Sequence, residues 1–334
     1  MKNKFELIAE TAFSHEGDFE YLVKQVDAAK AGKADFVKFQ VFLDKDAYCV
    51  ENHPAYNILD KWMLSKEKWL DIFNFAKSLG LKIVVLPLNN PSLEFCKTYD
   101  HLIDAYEIHS VCFNEVLLLN ELKNNSKTII LGIGGRLPHE INFAEKLLEA
   151  DKDRLVLMYG FQSFPTDSAQ LNLSKVKKFS ELFNCKVGYA DHTHYESDLF
   201  IQLNTAAYIL GARFFEKHIV LEKGTKRIDY ESGISSNDFI RLRAEIDKIT
   251  TILGDGDIFT LNEKELVYKN REKKIVFTRD IPQNSIIKMK DLTYKISEEH
   301  SDFEQKDLNK LLGKKTHIDC KNNETIKFEL LKHD

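Results

Sequence analysis

No run of 18 apolar residues occurs in this 334-residue chain, so nothing in it has the length of a membrane-spanning helix. The opening residues, MKNKFELIAET, pass from lysines straight into an alternating strand without the apolar centre of a signal peptide. A soluble, cytoplasmic protein with no membrane partner is expected. Basic blocks are equally scarce. Lys and Arg number 47 against 52 Asp and Glu, the formal charge is −5, and the charges are scattered along the chain, which argues against nucleic acid as a partner. The five cysteines, Cys49, Cys96, Cys112, Cys185 and Cys320, are odd in number, far apart and without a CxxC pair. That indicates reduced thiols rather than a disulfide framework or a thiolate zinc site. No repeat or low-complexity tract is evident, and no Gly-rich nucleotide fingerprint follows any β-prone run, which weighs against a doubly wound dinucleotide-binding sheet.

What is present is an alternation of short β-prone runs with amphipathic segments. The runs are Phe5–Thr11, Ala34–Gln40, Lys82–Leu88, Ala105–Ser110, Thr128–Ile133, Leu155–Gly160, Lys186–Ala190 and Arg213–Ile219. Between them lie segments of helical period such as Phe19–Ala31, Lys66–Leu79, Asn114–Asn125, Ile141–Glu149, Leu173–Phe183 and Asp198–Leu210. Eight strands joined by helical crossovers predict an α/β fold, a (β/α)8 TIM barrel over residues 1–260, with an open doubly wound sheet as the alternative. A helix from Asn237 to about Leu253 is broken at Gly254-Asp-Gly-Asp257, and a charged linker, 261–274, follows. The tail, 275–334, reads as short strands and turns. So small a β-rich domain gains from docking onto something larger.

Two histidines stand at the ends of consecutive strands, His192 in Gly188-Tyr-Ala-Asp-His-Thr193 and His218 in Phe214-Phe-Glu-Lys-His-Ile219. Either one alone would more often be a satisfied core residue. As a pair at corresponding strand ends they point to a divalent metal at the carboxyl-end face, where α/β enzymes carry their chemistry.

Ile8-Ala-Glu10, Ser14-His-Glu-Gly17, Asp35-Phe-Val-Lys-Phe-Gln40, Phe164-Pro-Thr166, Asp191-His-Thr193 and Glu216-Lys-His218 occur in an order and spacing that resembles the sialic acid synthase family. Members condense phosphoenolpyruvate with an N-acetylated amino sugar. The resemblance covers nearly the whole chain, because Asp280–Ile287 and Leu312-Gly-Lys314 resemble signatures of that family's C-terminal antifreeze-like (SAF) domain, with Asn284 at a usual Gly. It implies His192 and His218 as metal ligands and Glu10 as the catalytic carboxylate beside the metal, with Mn2+ expected, or else Mg2+ or Co2+. It further implies Lys38 as a ligand of the donor phosphate, and Gln40, Ser110, Gln162 and Asp191 as substrate-binding candidates. It also implies a homodimer in which each tail roofs the partner's barrel.

The sequence departs from the family pattern chiefly around the donor phosphate. Glu107 stands at a usual Lys, Gly132 and Ala190 at usual hydroxyl residues, Leu86 at a usual Thr and Ile296 at a usual Arg. Arg136, following Gly134-Gly135 after the fifth strand, is a candidate replacement ligand. His109 is a second, and the alternatives are a solvated loop charge and a packing residue. Glu216, Lys217 and Asp191 are open between ligand orientation and ion pairing in the barrel wall. The expected activity is metal-dependent condensation of a phosphoenolpyruvate-like donor with an open-chain sugar aldehyde. The alternatives are an aldolase or lyase acting on a sugar acid, and a non-catalytic binding subunit.

Overall fold

The computed structural model describes residues 4–123, 125–149, 151–163 and 165–332. The chain divides into two compact units between Asp255 and Gly256. In the first, eight parallel strands follow in chain order: β1 (Glu6–Glu10), β2 (Phe36–Val41), β3 (Lys82–Pro87), β4 (Ala105–Ile108), β5 (Thr128–Gly132), β6 (Leu155–Tyr159), β7 (Lys186–Ala190) and β8 (Ala212–Ile219). Each pairs with the next and β8 pairs back onto β1, so the sheet closes into the expected barrel. A two-residue β9 (Gly233–Ile234) adds to the end of β8.

The helices are α1 (Phe19–Ala31), α2 (Tyr56–Trp62), α3 (Lys66–Ser78), α4 (Asn90–Thr98), α5 (Val116–Leu122), α6 (Pro138–Leu148), α7 (Ser174–Phe183), α8 (Phe200–Ile209) and α9 (Ser236–Leu253). Their starts follow local chemistry. The Asp18 side chain accepts from the Tyr21 N–H ahead of α1, and Ser235 and Asp238 form a capping box on α9, each satisfying donors that the first turn leaves orphaned. Leu22, Val26 and Ala29 of α1, three and four residues apart, are buried and join the apolar layer between helices and strands. Among the described residues no helix is long and apolar enough to span a bilayer.

Strand parity decides what enters the barrel. Successive side chains on a strand face opposite sides. Ile8, Phe36, Ala105, Phe214 and their neighbours Val84, Ile130 and Val156 therefore form an apolar inner cluster, and two residues further along the same strands stand Glu10, Lys38, Glu107 and Glu216. The register confirms the layering, with Glu10 opposite both Lys38 and His218, and Ala190 opposite Glu216. The intervening residues, such as Ala9, Val37, Phe39, Tyr106 and Phe215, pack outward against the helices.

The second unit begins with a helix, α10 (Glu263–Lys269), inside the stretch expected as a charged linker. An antiparallel pair follows, β10 (Lys274–Phe277) with β11 (Leu292–Lys295). Isolated bridges such as Ile281 with Cys320 and Thr316 with Leu331 tie the later turns together. Ile275, Phe277, Ile287, Leu311 and Ile326 are nearly or fully buried and give this unit a core of its own. Asn284 adopts φ +66°, a left-handed backbone that Asn tolerates better than other non-Gly residues. Its occurrence at a usual Gly has that physical basis.

Candidate active site

The carboxyl ends of the strands surround a cavity of about 300 Å³ lined by Glu10, Lys38, Gln40, Glu107, His109, Ser110, Gln162, Glu216, His192 and His218, among others. No residue of β3 is among them. The wall is tight where β5 and β6 end. A Cβ on Gly134 would lie 2.0 Å from the Gly160 carbonyl oxygen, so only glycine allows that approach.

One potential ligand atom from each of Glu10, His192 and His218 lies within 4.8 Å of the other two. His218 Nε2 is 3.3 Å from Glu10 Oε2, and its Nδ1 faces the backbone carbonyl of Asp229 at 3.4 Å. With Nδ1 engaged at that carbonyl, Nε2 is the ring atom that faces the carboxylate, where its N–H donates to Glu10 and where a bound metal would take the proton's place. His192 is held neutral, its pKa pushed down to about 3 by burial and then by the neighbouring His218. Its buried Nδ1 has no protein partner. Burial would raise the Glu10 carboxyl, but the Lys38 ammonium and the His218 ring overcome it and hold Glu10 well below the usual range. Two imidazoles and an ionised carboxylate form an N2O donor set with positions left open. That set fits a divalent ion such as Mn2+, Mg2+ or Co2+ without selecting one.

Lys38 lies in a different setting from a free anion ligand. Its Nζ is 3.3 Å from Glu10, 2.8 Å from Glu107 and 2.9 Å from Glu216, and all four side chains are at most 4% exposed. The Glu107 contact has ion-pair distance without hydrogen-bond alignment. Burial opposes the charge on Lys38, yet the three carboxylates hold it above its ordinary value. Burial raises Glu107 despite Lys38, and burial followed by the Glu107 charge raises Glu216 well above the carboxylate range. His109, at the end of β4, is pushed down to about 4 by burial and then by Lys38.

Gln40 donates to Glu10 Oε1 at 2.8 Å, and Gln162 donates to Asp229 Oδ1 at 2.8 Å. Both line the cavity with Ser110. Arg136 and Asp191, expected at the substrate, do not line it. The Arg136 guanidinium is engaged by Glu140 at 2.9 Å and by the Ser110 carbonyl, and it lies over the Phe113 ring. Asp191 sits one residue from the inward-facing His192, so parity turns it outward. There it takes an ion pair from Lys217 at 3.2 Å and hydrogen bonds from Thr193 and Asn204. The wall ion pair left open for Lys217 is therefore what forms. Glu216 is left open by the sequence between ligand orientation and ion pairing, and Glu107 enters there only as a departure from the family pattern, although their parity with Ala105 and Phe214 marks both as inward. Phe164, part of a quoted motif, lies outside the described residues.

The chain matches the NeuB family over residues 25–258. It is 28% identical to a pseudaminic acid synthase of Campylobacter jejuni, the alignment covering 97% of this chain and 96% of that one. It is 24% identical to an N,N'-diacetyllegionaminic acid synthase of the same species, over 86% of this chain and 89% of that one. The crystal structure of an N-acetylneuraminic acid synthetase from Leptospira borgpetersenii superposes with a TM-score of 0.72 at 23% identity, covering 80% of this chain and 92% of that one. That likeness concerns the fold.

Proposed function

The chain belongs to the NeuB family and is an enzyme of the sialic acid synthase type, and on that premise we propose that it condenses phosphoenolpyruvate with the aldehyde of an open-chain amino sugar. The observation that carries the proposal is the convergence of Glu10, His192 and His218 in one strand-end cavity that also contains Lys38. His192, His218 and Glu10 would hold a divalent metal, Mn2+ first among the candidates. Once bound, the ion supplies Lewis-acid polarisation of the aldehyde oxygen, worth several kcal/mol.

The remaining steps fall to the chain's own groups. Donor C3 attacks the aldehyde carbon with its enol π electrons, the new carbon–carbon bond forms and leaves donor C2 electron-poor, and the aldehyde oxygen takes up a proton from solvent to become a hydroxyl. Glu10, kept ionised by Lys38 and held by Gln40, orients the water that adds to donor C2, and that water gives up its proton to solvent as the bond forms. The tetrahedral centre then loses phosphate by breaking its C2–O bond, leaving a 2-keto-3-deoxy sugar acid. Ser110 and Gln162, which line the cavity, position the two reactants in this scheme, and Lys38 is the cation available to the donor's phosphate. The second unit is proposed as an antifreeze-like domain that roofs the partner's barrel in a homodimer, and the cytoplasm is the proposed location.

Release of inorganic phosphate from phosphoenolpyruvate is measured with the full chain, Mn2+ and a panel of N-acylated hexosamine acceptors. Phosphate release that depends on one acceptor supports the proposal, and none with any acceptor or metal ends it. The three carboxylates around Lys38 favour a second reading, cleavage or formation of a sugar acid with unphosphorylated pyruvate. Metal-dependent pyruvate release from a nonulosonic acid without phosphate would select it.

A further inference from the structure

Lys38 is the only lysine or arginine among the described residues that line the cavity. An anionic group entering from the mouth therefore has one side-chain ammonium to reach, and it is already surrounded. Glu107 Oε2 stands 2.8 Å and Glu216 Oε1 2.9 Å from Lys38 Nζ, with Glu10 Oε1 at 3.3 Å. Glu10 is also bound to His218 and Gln40, and Glu216 shares its strand with His218. Glu107 differs from both. It comes from β4, on neither histidine's strand, it lines the cavity, and its contact with the ammonium is the shortest of the three. The side chain thus stands at the cavity wall directly beside the ammonium, packed against Lys38 and the neighbouring Glu216.

We propose that Glu107 is an internal competitor for Lys38, its carboxylate occupying the place beside the ammonium that a substrate anion would otherwise take. Glu107 thereby sets how tightly the cavity holds the donor's phosphate. The inference deepens the condensation reading and rests on it for the identity of the donor, while the competition itself concerns any phosphate-bearing ligand. Like charges brought together at a desolvated site oppose binding strongly, so removing this one has a predictable sign.

The test is calorimetric titration of the full chain with inorganic phosphate, alongside the donor KM from phosphate release. Glu107→Gln, close in shape and uncharged, is expected to bind phosphate at least about tenfold more tightly and to lower donor KM by a similar factor. Adding Lys38→Met to that variant should abolish the gain. Unchanged or weaker phosphate affinity in folded Glu107→Gln overturns the proposal. Should circular dichroism show that Gln at this position prevents folding, Glu107→Ser is read in the same way. If phosphate binding tightens but neither protein releases phosphate from phosphoenolpyruvate, the condensation reading fails and the role of Glu107 stands. If the wild type turns over and the variant's phosphate affinity does not move, the reverse holds.

Discussion

The lower and upper halves of the barrel interior are made by the same strands under the same two-residue alternation, yet one is apolar and the other ionic. Ile8, Phe36, Ala105, Ile130, Val156 and Phe214 fill the lower half. Glu10, Lys38, Glu107 and Glu216 fill the layer above, and His192 and His218 stand at its top. The lower layer obtains its stability from removing apolar surface from water. The upper layer places four ionisable side chains in the same low-dielectric interior, where each depends on its partners to remain charged. Stability and chemistry are thus stacked along single strands.

The division of labour can be broken most sharply at the mouth. His218→Ala should reduce turnover to background and weaken metal binding by at least about 10–100-fold. Its thermal midpoint should stay within a few degrees of wild type, because a strand-end ligand contributes little to the core. Wholesale unfolding, or undiminished metal affinity by calorimetry, would return His218 to the role of packing residue. Lys38→Met should affect both halves at once. Removing the ammonium strands three buried carboxylates, at a cost of about 3–5 kcal/mol, and turnover should fall as Glu10 loses the partner that keeps it ionised. Denaturant unfolding and a rate assay on the same sample check this, and a stable, active variant would mean the cluster is less buried than described.

In the lower layer, Ile130→Ala should cost about 2–5 kcal/mol of stability while metal affinity and KM stay near wild type. A large change in metal affinity would show that the two layers are not separable. The remaining test concerns pH. His15 and His109 both have folded-state values pushed down to about 4, chiefly by burial, below the ordinary 6.5. The unfolded chain therefore takes up these protons first. Their contribution is fully present above about pH 6.5 and is lost as pH falls toward 4, at up to about 1.4 kcal/mol per pH unit for each group. His15→Phe, which keeps a ring against Trp69, should flatten its share of the slope in thermal melts between pH 6.5 and 4. An unchanged slope would remove His15 from the explanation.

The barrel was legible because all eight strands carry dense apolar or β-branched runs between helical periods, and the segment Phe19–Ala31 coincides with α1. What escaped were short elements. Helix α4 starts at Asn90-Pro91 under an Asn89 cap, a readable start signal in a stretch with little apolar period. Helix α10 has no buried residue, so periodicity gave no reason to separate it from a solvated linker. At the cavity, the meeting of Glu10, His192 and His218 was legible from strand ends and motif order. Asp191 was misplaced because adjacency to His192 was weighed above parity, which turns neighbours to opposite faces. Arg136 could not be settled from sequence, since a loop guanidinium goes to whichever carboxylate is near, and Glu140 one helical turn on was available.

The ion pair between Lys217 and Asp191 lies behind His192 and His218, on the helix-facing side of β7 and β8, where Lys217 also donates to the Thr193 carbonyl at 2.7 Å. Each partner is one peptide away from His218 or His192. Sequence drift in the outer wall at these two strands therefore acts directly on the spacing of the imidazoles, and the helix-facing layer there is not free to diverge independently of the reaction centre. At β3, which contributes no described residue to the cavity, the two can change separately. Across a lineage of such proteins, substitutions outside the barrel behind β7 and β8 should arise in compensated pairs, while those behind β3 should accumulate singly.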